Sequence, residues 1–262
     1  MINISLTLRD SATMLRRDFR HSLRNLTMTV SGLLTPTIML VLFVFVFGNT
    51  IGIGLGAATH SGSYINYVAP AIIIMTVGTG CETTAINLCT DMAEGIITRF
   101  RTMAISRASV LTGQVIGSLI RTMMSIIIVL GLALLMGFRP TASLINWIEA
   151  LSLIALFTFA VSWMGVVFGL VGKTPAGANS LSLIFVLLPF ISSAFVRAES
   201  MPVGIRWFAE YQPFTPIIDT LRGLLLGTPI GNSAILAIAW CAAIALVGYL
   251  LARAIYNRDP VK

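Results

Sequence analysis

The sequence predicts an all-α, polytopic membrane protein of six transmembrane helices with both termini on the inner side, and three observations predict it. Hydrophobic residues make up 56% of the chain and charged residues only 10%, whereas a soluble domain carries roughly a quarter charged residues. The charges gather in short stretches between long apolar runs, each sufficient at ~1.5 Å per residue to cross ~30 Å of hydrocarbon. Lysine and arginine are also distributed unevenly across the loops that those runs define, which is the topology signal of membrane proteins.

The runs are Val30–Gly48, Tyr64–Thr90, Val110–Phe138, Trp147–Val171, Ala178–Val196 and Ser233–Tyr256. With the N-terminus inside, the inner face holds twelve basic residues, among them Arg16, Arg99, Lys173 and Lys262; the outer face holds only Arg139, Arg197, Arg206 and Arg222. An N-in, C-in arrangement follows, and the even number of runs agrees with it. The chain reads as one transmembrane domain over residues 1–262: a cytoplasmic interfacial helix over 1–29, a six-helix bundle over 30–256 and a cytoplasmic tail over 257–262. Leu6, Leu8, Leu15, Phe19, Leu23 and Leu26 recur at helical spacing among arginines, the pattern of a helix lying on anionic headgroups. The polar, arginine-rich start does not read as a cleavable leader, and the first span is expected to direct its own insertion.

The stretch from Arg197 to Asn232 is rich in both proline and apolar residues. Pro202 and Pro216 are each suited to open a short helix, Thr215 stands where an N-cap would, and Leu221, Leu224 and Leu225 make an apolar face ending at Gly227. Backbone at membrane depth must be satisfied internally. The expectation is therefore a re-entrant helical hairpin dipping into the outer leaflet before the last span.

Several functions are disfavoured. The net charge of +7 comes without a basic stripe interleaved with aromatics, so nucleic acid is not an expected partner. His21 and His60 have no companions at metal-ligand spacing, and Cys81, Cys89 and Cys241 read as small buried hydrophobes. Gly172-Lys173-Thr174 imitates the end of a phosphate-binding loop, but Val167 stands where that loop needs glycine, and an apolar helix precedes it instead of a strand. It is a turn, and an ATP-driven cycle would have to take its engine from another chain. A metal or other cofactor bound by this chain is not expected either.

Two groups of charges remain. Asp91, Glu94, Gly95, Arg99, Arg101, Ser106 and Arg107, interleaved with Ile96, Ile97, Phe100, Met103 and Ile105, suit an amphipathic elbow at the inner face that docks a partner. Glu82 and Arg121 fall inside neighbouring spans, where a lone charge is costly, and an interhelical ion pair is the expectation. Gly113 with Gly117, and Gly165 with Gly169, give small-x-x-x-small spacings that permit close helix approach. Phe157, Phe159, Trp163, Phe185 and Phe190 either line a greasy path or face lipid.

This order of parts resembles the ABC-2 type permeases, especially their daunorubicin-resistance branch, over nearly the whole chain. Tyr64-Ile65-Asn66-Tyr67-Val68-Ala69-Pro70-Ala71 is similar to the family's opening of the second span, with alanine at 71 where glycine is usual. Glu94-Gly95 with Arg99, Arg101 and Ile105-Ser106-Arg107 resembles its coupling loop, with Ala104 where proline is common. Glu199-Ser200-Met201-Pro202, Gln212-Pro213-Phe214-Thr215-Pro216 and Arg222-Gly223 resemble its signature, with Gln212 for a usual asparagine. The resemblance implies an export permease of the cytoplasmic membrane that moves a drug, lipid or lipid-linked glycan. It further implies a second permease copy and two copies of a separate ATPase that carries the ATP and magnesium. The elbow and N-terminal helix would contact that ATPase, and the outer hairpin, with Glu199, Pro202, Pro213, Thr215, Pro216 and Arg222, would close the exit. The rival classes are a self-contained secondary transporter or channel, for which internal repeats and broken helices are wanting, and a membrane-embedded lipid-modifying enzyme, which lacks an acid–base cluster.

Overall fold

The structure, a computed structural model, describes residues 26–46, 48, 61–94, 107–195 and 201–258, and these are helical throughout apart from turns and connections. The helices are α1 (Leu26–Val41, ending in a π turn over Leu42–Val46), α2 (Ser61–Ala93), α3 (Arg107–Leu135), α4 (Leu144–Val171), α5 (Pro175–Leu187, ending in a 3-10 turn over Leu188–Ile191), α6 (Val203–Tyr211), α7 (Phe214–Leu226) and α8 (Ser233–Arg258). The interfacial helix expected over residues 1–29 lies almost entirely outside the described residues.

Four helices are long and apolar enough to cross a membrane: Tyr64–Ala93 in α2, Leu111–Leu135 in α3, Leu144–Val171 in α4 and Ser233–Tyr256 in α8. They coincide with four of the six apolar runs in the sequence. The other two runs form the shorter apolar helices Leu33–Val46 and Pro175–Ile191. The chain is accordingly a multi-pass membrane protein.

Helix α2 is the axis of the bundle. Its most apolar window is 83% buried, against 17% for that of α8, so α2 is wrapped by protein while α8 presents its sides outward. Close approach makes this possible. A Cβ on Gly165 would lie 2.8 Å from the Cys81 carbonyl oxygen, and one on Gly169 would lie 2.8 Å from that of Ala85. The small-x-x-x-small spacing of α4 thus brings two backbones together, and since 165 meets 81 and 169 meets 85, α2 and α4 run parallel. Gly78 is equally tight against the backbone of Phe185 and Val186, while Ala85 and Cys89 cluster with Ala178, so α5 runs antiparallel to α2. Gly248 of α8 sits on Trp163, whose ring meets Tyr249 edge-on at 5.1 Å.

A chain of hydroxyls ties α2, α3 and α4 within this core. Thr84 donates to the Gly80 carbonyl at 2.7 Å, which uses its single proton. Ser118 must therefore donate to Thr84, and Ser162, 3.0 Å away, to Ser118. All three side chains are buried, and each polar atom is paired, as a water-free interior requires. The three cysteines are buried and free, as the sequence indicated.

Inserting branched side chains where backbones touch forces helices apart at a cost of about 1–3 kcal/mol. Gly165→Val is expected to lower the unfolding temperature of the purified protein and its monodisperse yield. Gly131→Ala, at a position where a Cβ meets nothing within 4 Å, leaves both unchanged or slightly improved.

Candidate functional site

The hairpin is built by α6 and α7. Pro202 caps α6, as its place in the sequence indicated, and α7 begins at Phe214 behind Pro213 and ends on Gly227, whose φ of 72° is the left-handed conformation glycine tolerates. Thr215 is not the N-cap. It lies inside the first turn of α7, where its hydroxyl donates to the Ala209 carbonyl and accepts from the Ser193 amide at 3.3 Å. The reason is the second proline: Pro213 starts the helix two residues early, and Pro216 falls within the first turn, where its missing N–H costs nothing. Leu221, Leu224 and Leu225 are buried as expected.

The hairpin is re-entrant with respect to the bundle. Phe214, the first residue of α7, packs edge-on against Phe157 at 5.4 Å and tilted against Phe185 at 6.2 Å. Phe157 stands midway along α4. At the other end of α7, the Leu225 carbonyl accepts from the Thr141 amide just before α4 begins. The turn between α6 and α7 therefore reaches about half the depth of the bundle. Phe157, Trp163 and Phe185 are core residues here, whereas Phe159 and Phe190 are exposed at the surface.

At the rim of the hairpin the side chain of Arg222 gathers three elements. Its Nη1 donates to Asp219 Oδ1 at 2.8 Å, and its Nη2 donates to the carbonyls of Tyr67 at 3.2 Å and Ser193 at 3.3 Å. The guanidinium lies 3.9 Å over the Tyr67 ring. The Tyr67 hydroxyl in turn donates to the Ser193 carbonyl at 2.8 Å, and Ser193 Oγ donates to Asp219 Oδ1 at 3.0 Å. Burial raises the Asp219 carboxyl above its ordinary range, while Arg222 and the Ser193 hydroxyl draw it partly back. The clamp joins the start of α2, the end of α5 and α7. Nearby, Asn66 accepts from the Arg139 amide at 3.0 Å, so the loop before α4 is tied in as well.

Of the expected site residues, Pro202, Pro213, Thr215, Pro216 and Arg222 come together in this hairpin, and Glu199 lies outside the described residues. Tyr67, singled out from sequence only within the family-like opening of α2, completes the clamp together with Ser193 and Asp219, which were not singled out. The signal that points to one of them is Asp219 three residues before Arg222 on an otherwise apolar helix, a spacing that places both on one face.

At the opposite end, α2 stops at Ala93 and α3 starts at Arg107. Asp91 is half-buried and Glu94 is exposed. Gly95, Arg99, Arg101 and Ser106, with the short amphipathic helix expected there, lie outside the described residues. Gly172-Lys173-Thr174 is the turn between α4 and α5, with Thr174 capping α5.

The expected Glu82–Arg121 ion pair does not form in this conformation: the ion pairs between described side chains are Arg206–Glu210 and Arg222–Asp219. Helical register explains the difference. Helices α2 and α3 meet through Gly80 with Thr122 and Thr84 with Ser118. Residue 82 is about 200° around the helix from residue 80, so Glu82 points away from α3, onto the side where Gly78 meets α5.

One buried amide is unsatisfied. Gln212, in the hairpin turn, is 4% exposed, and neither its Oε1 nor its Nε2 has a hydrogen-bond partner.

The described residues form a helical membrane bundle with a re-entrant hairpin clamped at one end, and the chain belongs to the ABC-2 type transporter family, whose model matches residues 10–226. Among relatives it is 30% identical to the daunorubicin resistance ABC transporter permease protein DrrB1 of Streptomyces coeruleorubidus, over 74% of this chain and 67% of that protein. It is 26% identical to the probable doxorubicin resistance ABC transporter permease protein DrrC of Mycobacterium tuberculosis, over 86% of this chain and 79% of that protein. The chain is thus a membrane subunit of the ABC exporter class, a class that works in association with an ATPase partner.

Removing the guanidinium takes the cation from the half-buried Asp219 carboxylate, leaving it only the Ser193 hydroxyl, and takes one donor each from the Tyr67 and Ser193 carbonyls, so Arg222→Ala is expected to destabilise the protein by about 1–3 kcal/mol. Arg222→Lys recovers only a minor part, because a compact ammonium does not spread its donors across separate acceptors as the planar guanidinium does, nor stack on the Tyr67 ring. Thermal unfolding in detergent measures both. Gln212→Met, which removes an unpaired buried amide at similar volume, leaves stability unchanged or raises it by up to about 1 kcal/mol.

Proposed function

We propose that this chain is the permease half of an exporter in the cytoplasmic membrane. Two copies form the route for a hydrophobic or amphipathic substrate such as a drug, a lipid or a lipid-linked glycan, and two copies of a separate cytoplasmic ATPase drive the cycle. In this reading the two shorter apolar helices cross as well, giving six spans, with the elbow end inside and the hairpin end outside. ATP and magnesium belong to the partner.

The observation that supports this reading best is the continuity of α2. It runs unbroken from Ser61 to Ala93, with Tyr67 near one end held in the Arg222 clamp and Asp91 and Glu94 at the other. A displacement imposed at the elbow is carried by this rod, through the hydroxyl chain that joins it to α3 and α4, to the contacts that hold the hairpin shut. Coupling requires that the nucleotide states of the partner contact the elbow differently. The drive then appears at the far side as a weaker clamp. Among the described residues α2 and α4 run their full length without a break, whereas a self-contained transporter favours interrupted helices at its binding site.

Glu94 is exposed at the end of the rod. Glu94→Lys is expected to leave insertion and thermal stability unchanged while reducing substrate-stimulated ATP hydrolysis of the complex co-purified with its ATPase. Full stimulated hydrolysis by that variant would remove the elbow from the coupling route.

A further inference from the structure

A pocket of about 670 Å³ opens beside the clamp, within the range of roughly 300–1,000 Å³ typical of small-molecule sites. One wall carries Arg206 and Glu210 of α6, paired at 2.7 Å, and the other carries Arg222 and Asp219, paired at 2.8 Å. The walls sum to zero charge, yet each offers a cation and an anion. A ligand of single sign meets one attractive and one repulsive partner on every wall. A ligand bearing both charges a few ångströms apart meets a complement for each.

The two pairs differ in how readily they open. Arg222 and Asp219 are fixed by Ser193 and Tyr67. Arg206 and Glu210 are close to half exposed, at 45% and 40% of their side chains, and an exposed pair one helical turn apart contributes little. Water already reaches both of these side chains, so a ligand's charges can approach them without opening the bundle.

The pocket also continues into an apolar surface. Its lining includes Leu236, the first of the exposed residues Leu236, Trp240, Val247 and Leu251 that recur at helical spacing down one side of α8. On α6, beside Arg206 and Glu210, Trp207 and Tyr211 are exposed with their rings 5.7 Å apart, adding apolar surface next to the charged pair.

We propose that this pocket binds the headgroup of a zwitterionic phospholipid bearing a primary ammonium. The phosphate sits toward Arg206, the ammonium sits between Glu210 and Asp219, and the acyl chains lie on the α8 stripe. Ammonium N–H donors suit the two carboxylates, and charge-assisted bonds at both ends give the preference. The assignment requires only that the chain is embedded in a membrane, not that it is coupled to nucleotide hydrolysis.

The full chain, purified in detergent and offered an equimolar mixture of phosphatidylethanolamine and phosphatidylglycerol with matched acyl chains, is examined by native mass spectrometry without nucleotide. Phosphatidylethanolamine is expected to be retained about tenfold over phosphatidylglycerol. The double variant Arg206→Gln, Glu210→Gln should bring the two lipids to near equality, and Leu236→Asn should weaken retention of both while keeping the preference. On the unaltered protein, soluble glycerophosphoethanolamine should displace the bound phosphatidylethanolamine, and free inorganic phosphate should not. Equal retention of the two lipids by the native chain would overturn the proposal. So would a preference that survives the double variant, or displacement by phosphate alone, which would mark an anion site instead. Loss of coupled ATP hydrolysis would leave these readouts untouched, so failure of the exporter reading and failure of this one are separable.

Discussion

The contact between the backbones of α2 and α4 is the constraint on which the rest of the bundle depends. In hydrocarbon there is no hydrophobic drive to bring two apolar helices together, so association relies on dispersion at close range and on buried hydrogen bonds. Gly165 and Gly169 supply the first by letting α4 lie directly on the carbonyls of Cys81 and Ala85. Ser162, on the same helix, supplies the second through Ser118 to Thr84. Once α2 is seated in this way, α5 and α3 find its remaining faces through Gly78 and Gly80. The start of the helix is then in place for Tyr67 to receive Arg222.

Much of this was legible in the sequence, because it depends on period and composition. Four of the six apolar runs are the four long helices, the glycine spacing in α4 marks a real close approach, and Pro202 and Gly227 bound the hairpin as read, although Pro213 and not Pro216 opens its second helix. Neither alternative read for the aromatics describes Phe157, Trp163 and Phe185, which pack in the core, while Phe159 and Phe190 are exposed. What sequence could not supply is which face of one helix meets which face of another. Glu82 and Arg121 stand at similar depth on neighbouring helices, and depth is all that spacing reveals. Their pairing fails on rotation, because the Gly80/Thr84 face is the one turned to α3.

The clamp was missed for a related reason. Arg222 was counted as one of four basic residues of the outer face, which treats arginine as a point charge in a loop. Its role arises from partners at positions 67 and 193, far away in the chain, and two of its acceptors are backbone carbonyls that carry no sequence signature. Thr215 shows the same limit at short range. A threonine before a proline reads as a cap until the preceding proline is seen to have started the helix, after which its hydroxyl is available to hold the hairpin turn together.

The long reach of these contacts bears on the order in which the chain is assembled. Arg222 closes a loop of 155 residues when it reaches Tyr67, and Thr141 must already be in position to meet Leu225. Such distant pairings form only after the entropy of the intervening chain has been lost. Since insertion proceeds from the N-terminal side, α6 and α7 emerge before their acceptors can have been organised by anything but the earlier helices. The hairpin is therefore a late-docking element during biogenesis. Until it docks, Gln212 and the Asp219–Arg222 face of α7 lack the cover that the bundle gives them, and that face is open to quality-control proteases.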